Sequence, residues 1–260
     1  MKNSIVTSVI LVIMLVLSGN VFPEERGQTG IQELPRFTND YRLGKQGNDG
    51  SHQGNFLIDF SDYSGGSVNG WLESKGFCFK DRTQDNRVIE LSADERALMI
   101  KAKQPARVFL INESLDLKEF SNITIEWGIL KYPQDAAYEK KVNNEALMIY
   151  VFFGNARLPS GSFFVPDSPY FIGLFLSKED KVHRPYRGRY FNEGGRFVCL
   201  GNPKPGESII SKFDLHRAFQ DFFTVVAPSI SGISLAVDTS SSGNEGKAEA
   251  FIKRIEFSGK

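Results

Sequence analysis

The sequence predicts an all-β fold, a β-sandwich of many short strands with one short helix. Short β-prone runs recur along the chain and are separated by Gly- and Pro-containing turns. The aromatic content is 12%, with 22 Phe, which favours strands and a well-filled core. Helical spacing occurs in a single segment near residues 212–223. Many strands with one helix are typical of a sandwich.

The N-terminus has the features of an export signal. Lys2 is followed by an almost wholly apolar run, Ile5–Leu17, and then by Ser18–Asn20. This run is shorter than the roughly 20 residues that a membrane-spanning helix needs. We therefore predict a signal peptide over residues 1–23, with an uncleaved anchor as the alternative. The mature protein is then periplasmic or secreted and has no membrane span.

The next segment, residues 24–54, is rich in Gly, Gln, Asn and Asp and has little periodicity. Such a composition predicts a flexible arm or linker. The packed β-sandwich domain is predicted to occupy residues 55–260.

The strand pattern is organised around Ala146–Phe153, an apolar, β-prone run that suits a central strand covered on both faces. Tyr170–Leu176 is a second run of this kind, which we place beside it. The clearest alternation is in Ile123–Leu130, where every second residue is apolar. The other predicted strands are Phe56–Phe60, Gly76–Phe79, Val88–Leu91, Leu98–Ala102, Val108–Ile111, Arg196–Leu200, Gly232–Val237 and Ala248–Phe257.

The predicted helix follows a possible capping box at Ser211–Asp214. Apolar residues then recur at helical spacing from Leu215 to Phe222. By contrast, the Gly- and Ser-rich stretch Asp62–Gly70 is predicted to be a loop that leads to Trp71.

The charge balance argues against nucleic acid as a partner, because 31 basic and 31 acidic residues cancel. The 3 His form no recognisable metal or catalytic motif. Glycoside hydrolysis needs only two suitably placed carboxylates. Glu126, opposite Trp127 in the alternation, would be one candidate; a solvated strand glutamate is the alternative.

The loop Lys181–Tyr190 is the most suggestive local feature for ligand binding. Arginine forks grip carboxylates or phosphates, and tyrosine faces stack on sugar rings. The pattern predicts a site for an acidic glycan; the alternative is a solvated loop whose arginines pair with nearby acids. The residues concerned are Arg184, Tyr186, Arg187, Arg189 and Tyr190.

Two further aromatic residues are candidates for ligand contact. Tyr150 lies on the face of the central run that also carries Met148 and Phe152. That face would either line an open cleft or lie under the long loops 131–145 and 177–195. Trp71, in its Gly-rich setting, would be either a binding platform or part of the core.

The turn Asp238–Gly243 has oxygen-bearing side chains at alternate positions, and Glu249 occupies the place of the bidentate acid in a calcium loop. These residues predict a possible structural calcium ion, with a plain hairpin loop as the alternative. No other cofactor is predicted.

The chain has two cysteines, Cys78 and Cys199, each in a predicted strand. An exported protein enters an oxidising compartment, so a disulfide between them is one expectation. Two buried thiols that never meet are the other.

The order of these features resembles the bacterial secreted family called domain of unknown function 3047. The matching stretches are Leu115–Leu117, Ile125–Trp127, Ala146–Phe153, Asp221–Phe223, Ile230–Asp238 and Phe251–Phe257. The family pattern has acidic residues before the central strand and in an Asp-Thr-Asp-like turn. Here these positions read Asn143–Glu145 and Asp238–Ser240. The resemblance implies a jelly-roll-like antiparallel sandwich, similar to carbohydrate-binding modules, and no established activity.

Together these patterns predict an exported, non-catalytic binding protein for a carbohydrate or cell-envelope ligand. One alternative is a polysaccharide hydrolase or lyase on the same fold. Another is a structural domain that interacts with other envelope proteins.

Overall fold

The computed structural model describes residues 55–163, 167–188, 190–242 and 245–259. The predicted signal peptide and arm, residues 1–54, lie outside the described residues. The strands are β1 (Phe56–Asp59), β2 (Cys78–Asp81), β3 (Ile89–Asp94), β4 (Ala97–Ala102), β5 (Arg107–Asn112), β6 (Asn122–Lys131), β7 (Glu145–Leu158), β8 (Ser168–Phe175), β9 (Pro185–Tyr186), β10 (Gly195–Cys199), β11 (Ile209–Asp214), β12 (Ile230–Asp238) and β13 (Ala248–Ser258). The α-helices are α1 (Val68–Ser74) and α2 (Leu215–Phe223).

These strands form two sheets, which confirms the predicted all-β sandwich. One sheet has the order β11-β6-β13-β4-β3, with β1 also paired to β13. The other has the order β2-β5-β12-β7-β8-β10-β9. The predicted central strand is β7, the middle strand of this seven-stranded sheet, and β8 pairs with it as expected.

The core lies between the two sheets. The alternation predicted for β6 is confirmed, because its apolar positions Ile123, Ile125, Trp127 and Ile129 all enter the core. The matching face of β7 contributes Leu147, Ile149 and Val151 to the same core.

The sheets are not wholly antiparallel. β10 runs parallel to β8, with Gly195 opposite Phe171 and Cys199 opposite Phe175. Parallel neighbours need a long connection, and the segment between β8 and β10, which contains β9, provides it. The seven-stranded sheet is therefore mixed.

A helix replaces part of the predicted loop Asp62–Gly70. Ser67 caps α1 by accepting a hydrogen bond from the Gly70 amide. Leu72 is buried, and Val68 and Trp71 pack against the core. Their spacing is helical, but the surrounding glycines and serines favour the loop interpretation in the sequence.

The predicted helix at 212–223 begins later than expected. Residues 209–214 form β11, which pairs with β6, and the helix starts at Leu215. Its cap is Asp214, whose side chain accepts from the Arg217 amide at 2.8 Å. The Ser211 hydroxyl instead accepts from the Trp127 indole at 3.0 Å. Because Ser211–Asp214 pairs with β6, the predicted capping box does not form and the helix begins after it.

The expected disulfide is not present, because Cys78 and Cys199 are both free. Cys78 is exposed on the edge strand β2, whereas Cys199 is buried on β10. They are separated by five strand spacings of about 4.8 Å each, far beyond the reach of a disulfide. The other expectation was two buried thiols that never meet. The two thiols do not meet, but only that of Cys199 is buried.

Within the described ranges, no helix is long and apolar enough to cross a bilayer.

Candidate functional site

The outer face of the seven-stranded sheet is covered by loops. Side chains from β5, β7, β8, β10 and β12 form a second apolar cluster there, closed from outside by Tyr138, Tyr186 and Phe191. Tyr138 comes from the loop before β7, in the short 3-10 turn Tyr138–Lys140. The sequence left two alternatives for this face, an open cleft or burial under the loops, and the face is buried under the loops.

The loops leave a recess at one end of this face, which we call the Glu145 recess. It has room for about one water molecule. It is lined by Tyr138, Asn143, Glu145, Tyr150, Gly188, Phe197 and Asp238.

Strand register brings the charged groups of the recess together. Asp238, the last residue of β12, lies opposite Arg107 of β5 on one side and opposite Glu145 of β7 on the other. Residues directly opposite on antiparallel strands project to the same face, with Cβ atoms about 5 Å apart. The three side chains therefore form a row across three neighbouring strands.

Asp238 is fully engaged by its neighbours. Its Oδ2 accepts from Arg107 Nε at 2.8 Å. Its Oδ1 accepts from the amide and the hydroxyl of Ser240 at 2.9 and 2.6 Å. Arg107 and Asp238 thus form a mostly buried ion pair that is held by further hydrogen bonds.

Glu145 has no cation of its own. It is only 4% exposed, and its Oε1 accepts a hydrogen bond from the hydroxyl of Tyr138. Among the described residues, nothing donates to its Oε2, which is not enclosed and faces the recess. Within the described part of the chain, Arg107 is the only cation that contacts this pair of acids.

The pKa of Glu145 is raised to about 8, first because burial penalises the carboxylate and then because of the charge of Asp238. The hydrogen bond from Tyr138 and the charge of Arg107 oppose this rise but do not cancel it. Glu145 therefore keeps its proton to a higher pH than a solvent-exposed glutamate does.

Tyr150 supplies a second open group. It is 5% exposed, and its ring packs against Phe152, Phe171 and Phe197. Its hydroxyl makes no hydrogen bond with any described residue, yet it lines the recess. Buried hydroxyls normally have a partner, so this group is available to a ligand or to water.

The predicted Arg/Tyr loop borders the recess through Gly188. Arg184 pairs with Glu139 at 2.9 Å, and the Tyr186 hydroxyl donates to the same carboxylate at 2.8 Å. Arg184 is therefore paired with a nearby acidic residue, as the alternative interpretation of this loop predicted. Arg187 is exposed, Tyr190 is half-buried against the outer cluster, and Arg189 lies outside the described residues.

The two predicted calcium ligands lie in different sheets. Asp238 ends β12, whereas Glu249 is on β13 and pairs with Lys101 at 3.7 Å. Gly243 and Asn244 of the intervening turn are not among the described residues. In the ranges that are described, no group of three or more His, Cys, Asp or Glu residues could hold a metal ion. The calcium site remains a prediction.

Trp71 and Glu126 lie away from the recess. The Trp71 indole donates to Asp62 at 3.0 Å, and its ring packs against Phe60 and Tyr63. Glu126, on the six-stranded sheet, pairs with Lys253 at 2.9 Å and Arg254 at 3.2 Å. Both side chains are thus engaged within the protein.

Most residues of the site are absent from the candidates predicted from sequence: Arg107, Tyr138, Asn143, Glu145, Gly188 and Phe197. Glu145 and Asp238 lie in the two stretches, Asn143–Glu145 and Asp238–Ser240, that the resemblance compares with acidic residues and that depart from that pattern. No motif in the sequence singles out Glu145. The pairing itself arises only from strand register, which the sequence does not display.

No family model matches the sequence, and no curated protein is significantly similar to it. Among solved structures, a mutant family 29 carbohydrate-binding module is 11% identical, with a TM-score of 0.34 over 79% of this chain and 91% of that chain. A cleaved adhesin domain of Lys-gingipain is 11% identical, with a TM-score of 0.36 over 79% of this chain and 99% of that one. Another cleaved adhesin domain of Lys-gingipain, from Porphyromonas gingivalis, is 7% identical, with a TM-score of 0.34 over 80% of this chain and 99% of that one. At these scores, the likenesses say nothing about what this chain binds.

Proposed function

We propose that the protein is an exported, non-catalytic binding protein that recognises a carbohydrate or another hydroxyl-rich envelope component at the Glu145 recess. The observation that carries the proposal is the Tyr150 hydroxyl, which has no partner among the described residues although the side chain is 5% exposed. This hydroxyl opens into the recess, where a ligand group would replace water as its hydrogen-bond partner.

The chemistry of the recess suits a sugar. Carbohydrates present hydroxyl groups beside apolar C–H faces. The recess offers the Tyr150 hydroxyl, the Glu145 carboxyl group and the Asn143 side chain together with the rings of Tyr138 and Phe197. Because the recess has room for about one water molecule, it would take one substituent of a sugar ring while the ring rests on the surrounding loops.

The engagement of Asp238 supports a binding role rather than catalysis. Both of its oxygens already accept hydrogen bonds from Arg107 and Ser240. A nucleophile or general base needs a free lone pair directed at the substrate. Export is supported by Lys2 and the apolar run Ile5–Leu17.

Binding can be tested by calorimetric titration of the purified protein against neutral, acidic and amino-sugar oligosaccharides. Tyr150→Phe removes the open hydroxyl and keeps the ring, so we expect about a tenfold weaker affinity or more. Tyr63→Phe is the matched control, since the Tyr63 hydroxyl bonds to Gly66 on the far side of the fold. Equal affinities of wild type and Tyr150→Phe for every glycan that binds would exclude the recess as the site.

A polysaccharide hydrolase is the second candidate, and one observation favours it. Glu145, with its pKa raised to about 8, lies beside the ion-paired carboxylate of Asp238. A protonated acid next to an ionised one is the arrangement that glycosidases use. Release of reducing ends from a glycan, lost in Glu145→Gln with folding intact, would establish this activity in place of simple binding.

A further inference from the structure

Glu145 lies among groups whose charges do not balance when it ionises. The titratable or charged groups that face it are Arg107 of β5, Asp238 of β12, Tyr150 of β7, Tyr138 of the 3-10 turn and Asp180 of the loop after β8. Asp180 is itself buried and accepts from the Ser177 hydroxyl. Among the described residues, the only cation in this group is Arg107, which is already paired with Asp238. Ionised Glu145 therefore leaves a buried negative charge without a counter-charge.

Such a charge is expensive unless a cation enters. The open Oε2 of Glu145 faces the recess, so a cation placed there would contact it directly. The Tyr150 hydroxyl also lines the recess, and its oxygen can accept a hydrogen bond from an ammonium N–H group.

The size of the recess selects the kind of cation. With room for about one water molecule, it admits a primary ammonium group and is too small for a guanidinium. An amine attached directly to a rigid ring loses little conformational entropy on entering. The long side chain of a lysine loses much more rotamer freedom.

We propose that the Glu145 recess binds the primary ammonium group of a deacetylated amino sugar, held by the Glu145 carboxylate and the Tyr150 hydroxyl. This inference rests on the proposed carbohydrate-binding function and names its ligand class. It is also distinct from the acidic glycan predicted for the Arg/Tyr loop, because the recess favours the opposite charge.

A proton leaves the site when the ligand binds. The neutral Glu145 acid releases this proton to solvent when the charged ammonium group enters. One positive charge enters the site and one leaves, so the net charge of the site does not change. The raised pKa of Glu145 agrees with this exchange. While the amine stays charged, rising pH makes the carboxylate more available, so the affinity for the ammonium group rises.

The test compares a glucosamine oligomer with the N-acetylated oligomer of the same length, at about pH 6 and pH 7, by calorimetry in two buffers of different ionisation heat. We expect the amine to bind at least about tenfold more tightly at pH 7 than the acetamide, and to release close to one proton at about pH 6, where the amine is charged. Glu145→Gln keeps an acceptor for Tyr138 but cannot ionise, so both the preference and the proton release should disappear. Glu126→Gln, on the other sheet, is the matched control and should behave as wild type.

Equal affinity for the two oligomers, or binding of the charged amine at about pH 6 without proton release, would overturn the ammonium inference. A lysine peptide that binds as tightly as the glucosamine oligomer would overturn the amino-sugar assignment. If other glycans bind while glucosamine oligomers do not, only this inference fails. If no glycan of any kind binds, the proposed function fails with it.

Discussion

Glu145 and Asp238 lie directly opposite one another on the neighbouring strands β7 and β12, with their carboxyl groups on the same covered face. A register shift in β12 between Ala236 and Asp238 accompanies this pairing. Two acids in this position repel when both are charged. The structure places Arg107 against Asp238 and leaves Glu145 to the hydroxyl of Tyr138.

The first prediction concerns the pH dependence of stability. The pKa of Glu145 is about 8 in the folded protein and near 4.5 in the unfolded chain, so the folded state holds a proton that the unfolded state has lost. The stability that this proton contributes is complete below about pH 4.5 and is lost as pH rises through about 8. The free energy of unfolding should fall by up to about 1.4 kcal/mol per pH unit in that window.

Urea unfolding of wild type and Glu145→Gln at about pH 5.5 and pH 7.5 measures this slope. The Gln variant cannot ionise at residue 145, so wild type should lose more stability than the variant on going to the higher pH. Equal losses in the two proteins would mean that Glu145 is already ionised in the folded state.

The second prediction concerns Tyr138→Phe. Its hydroxyl donates to Glu145 and favours the carboxylate, so removing it should move the pKa of Glu145 further upward. Carbon-detected NMR of the Glu145 carboxyl group follows the titration directly. Tyr132→Phe is the control, because the Tyr132 hydroxyl bonds to the Pro203 carbonyl. The control should lose about 1 kcal/mol of stability without a change in the pKa of Glu145. An unchanged pKa of Glu145 in Tyr138→Phe would refute the hydrogen bond between Tyr138 and Glu145.

The third prediction concerns two glycines in different settings. A Cβ at Gly128 would lie 2.3 Å from the Glu207 carbonyl oxygen and 2.4 Å from the Phe251 ring. Gly128→Ala should therefore destabilise the sandwich by about 1–3 kcal/mol. Gly70→Ala meets only ordinary contacts in α1 and should stabilise by up to about 1 kcal/mol. Thermal unfolding of both variants checks the contrast, and a neutral Gly128→Ala would contradict the close approach.

The fourth prediction concerns the two thiols. Cys78 is exposed and Cys199 is buried, with its pKa raised mainly by burial. A thiol reagent should therefore modify Cys78 in the native protein and both cysteines only after denaturation. Cys78→Ser should abolish the native reaction. Two unreactive cysteines in the denatured, unreduced protein would instead show that they are bonded.

Local patterns predicted most of the strands because strand alternation is a property of neighbouring residues. In Ile123–Ile129 the period-two pattern reports directly which side chains enter the core. The same local information was insufficient where another strand decides the outcome. β11 forms because it can pair with β6, and this pairing moves the start of α2 past the predicted cap.

The site was harder to predict than the fold because its residues come from separate segments. From the sequence, Asp238 was a candidate calcium ligand and Tyr150 a candidate for ligand contact, but the sequence pattern does not show that Glu145 and Arg107 flank Asp238. Strand order and register bring these residues together, and loop closure adds Tyr138 and Gly188. Burial then determines the protonation of Glu145, which composition cannot indicate.

The most direct test of the recess as the binding site is a crystal structure of the protein with the tightest-binding oligosaccharide from the titrations. Our account predicts a sugar substituent within hydrogen-bonding distance of the Tyr150 hydroxyl and the Glu145 carboxyl group, with the sugar ring on the loops around Gly188. A ligand bound instead on the six-stranded sheet, or near Trp71 with the recess unoccupied, would contradict it.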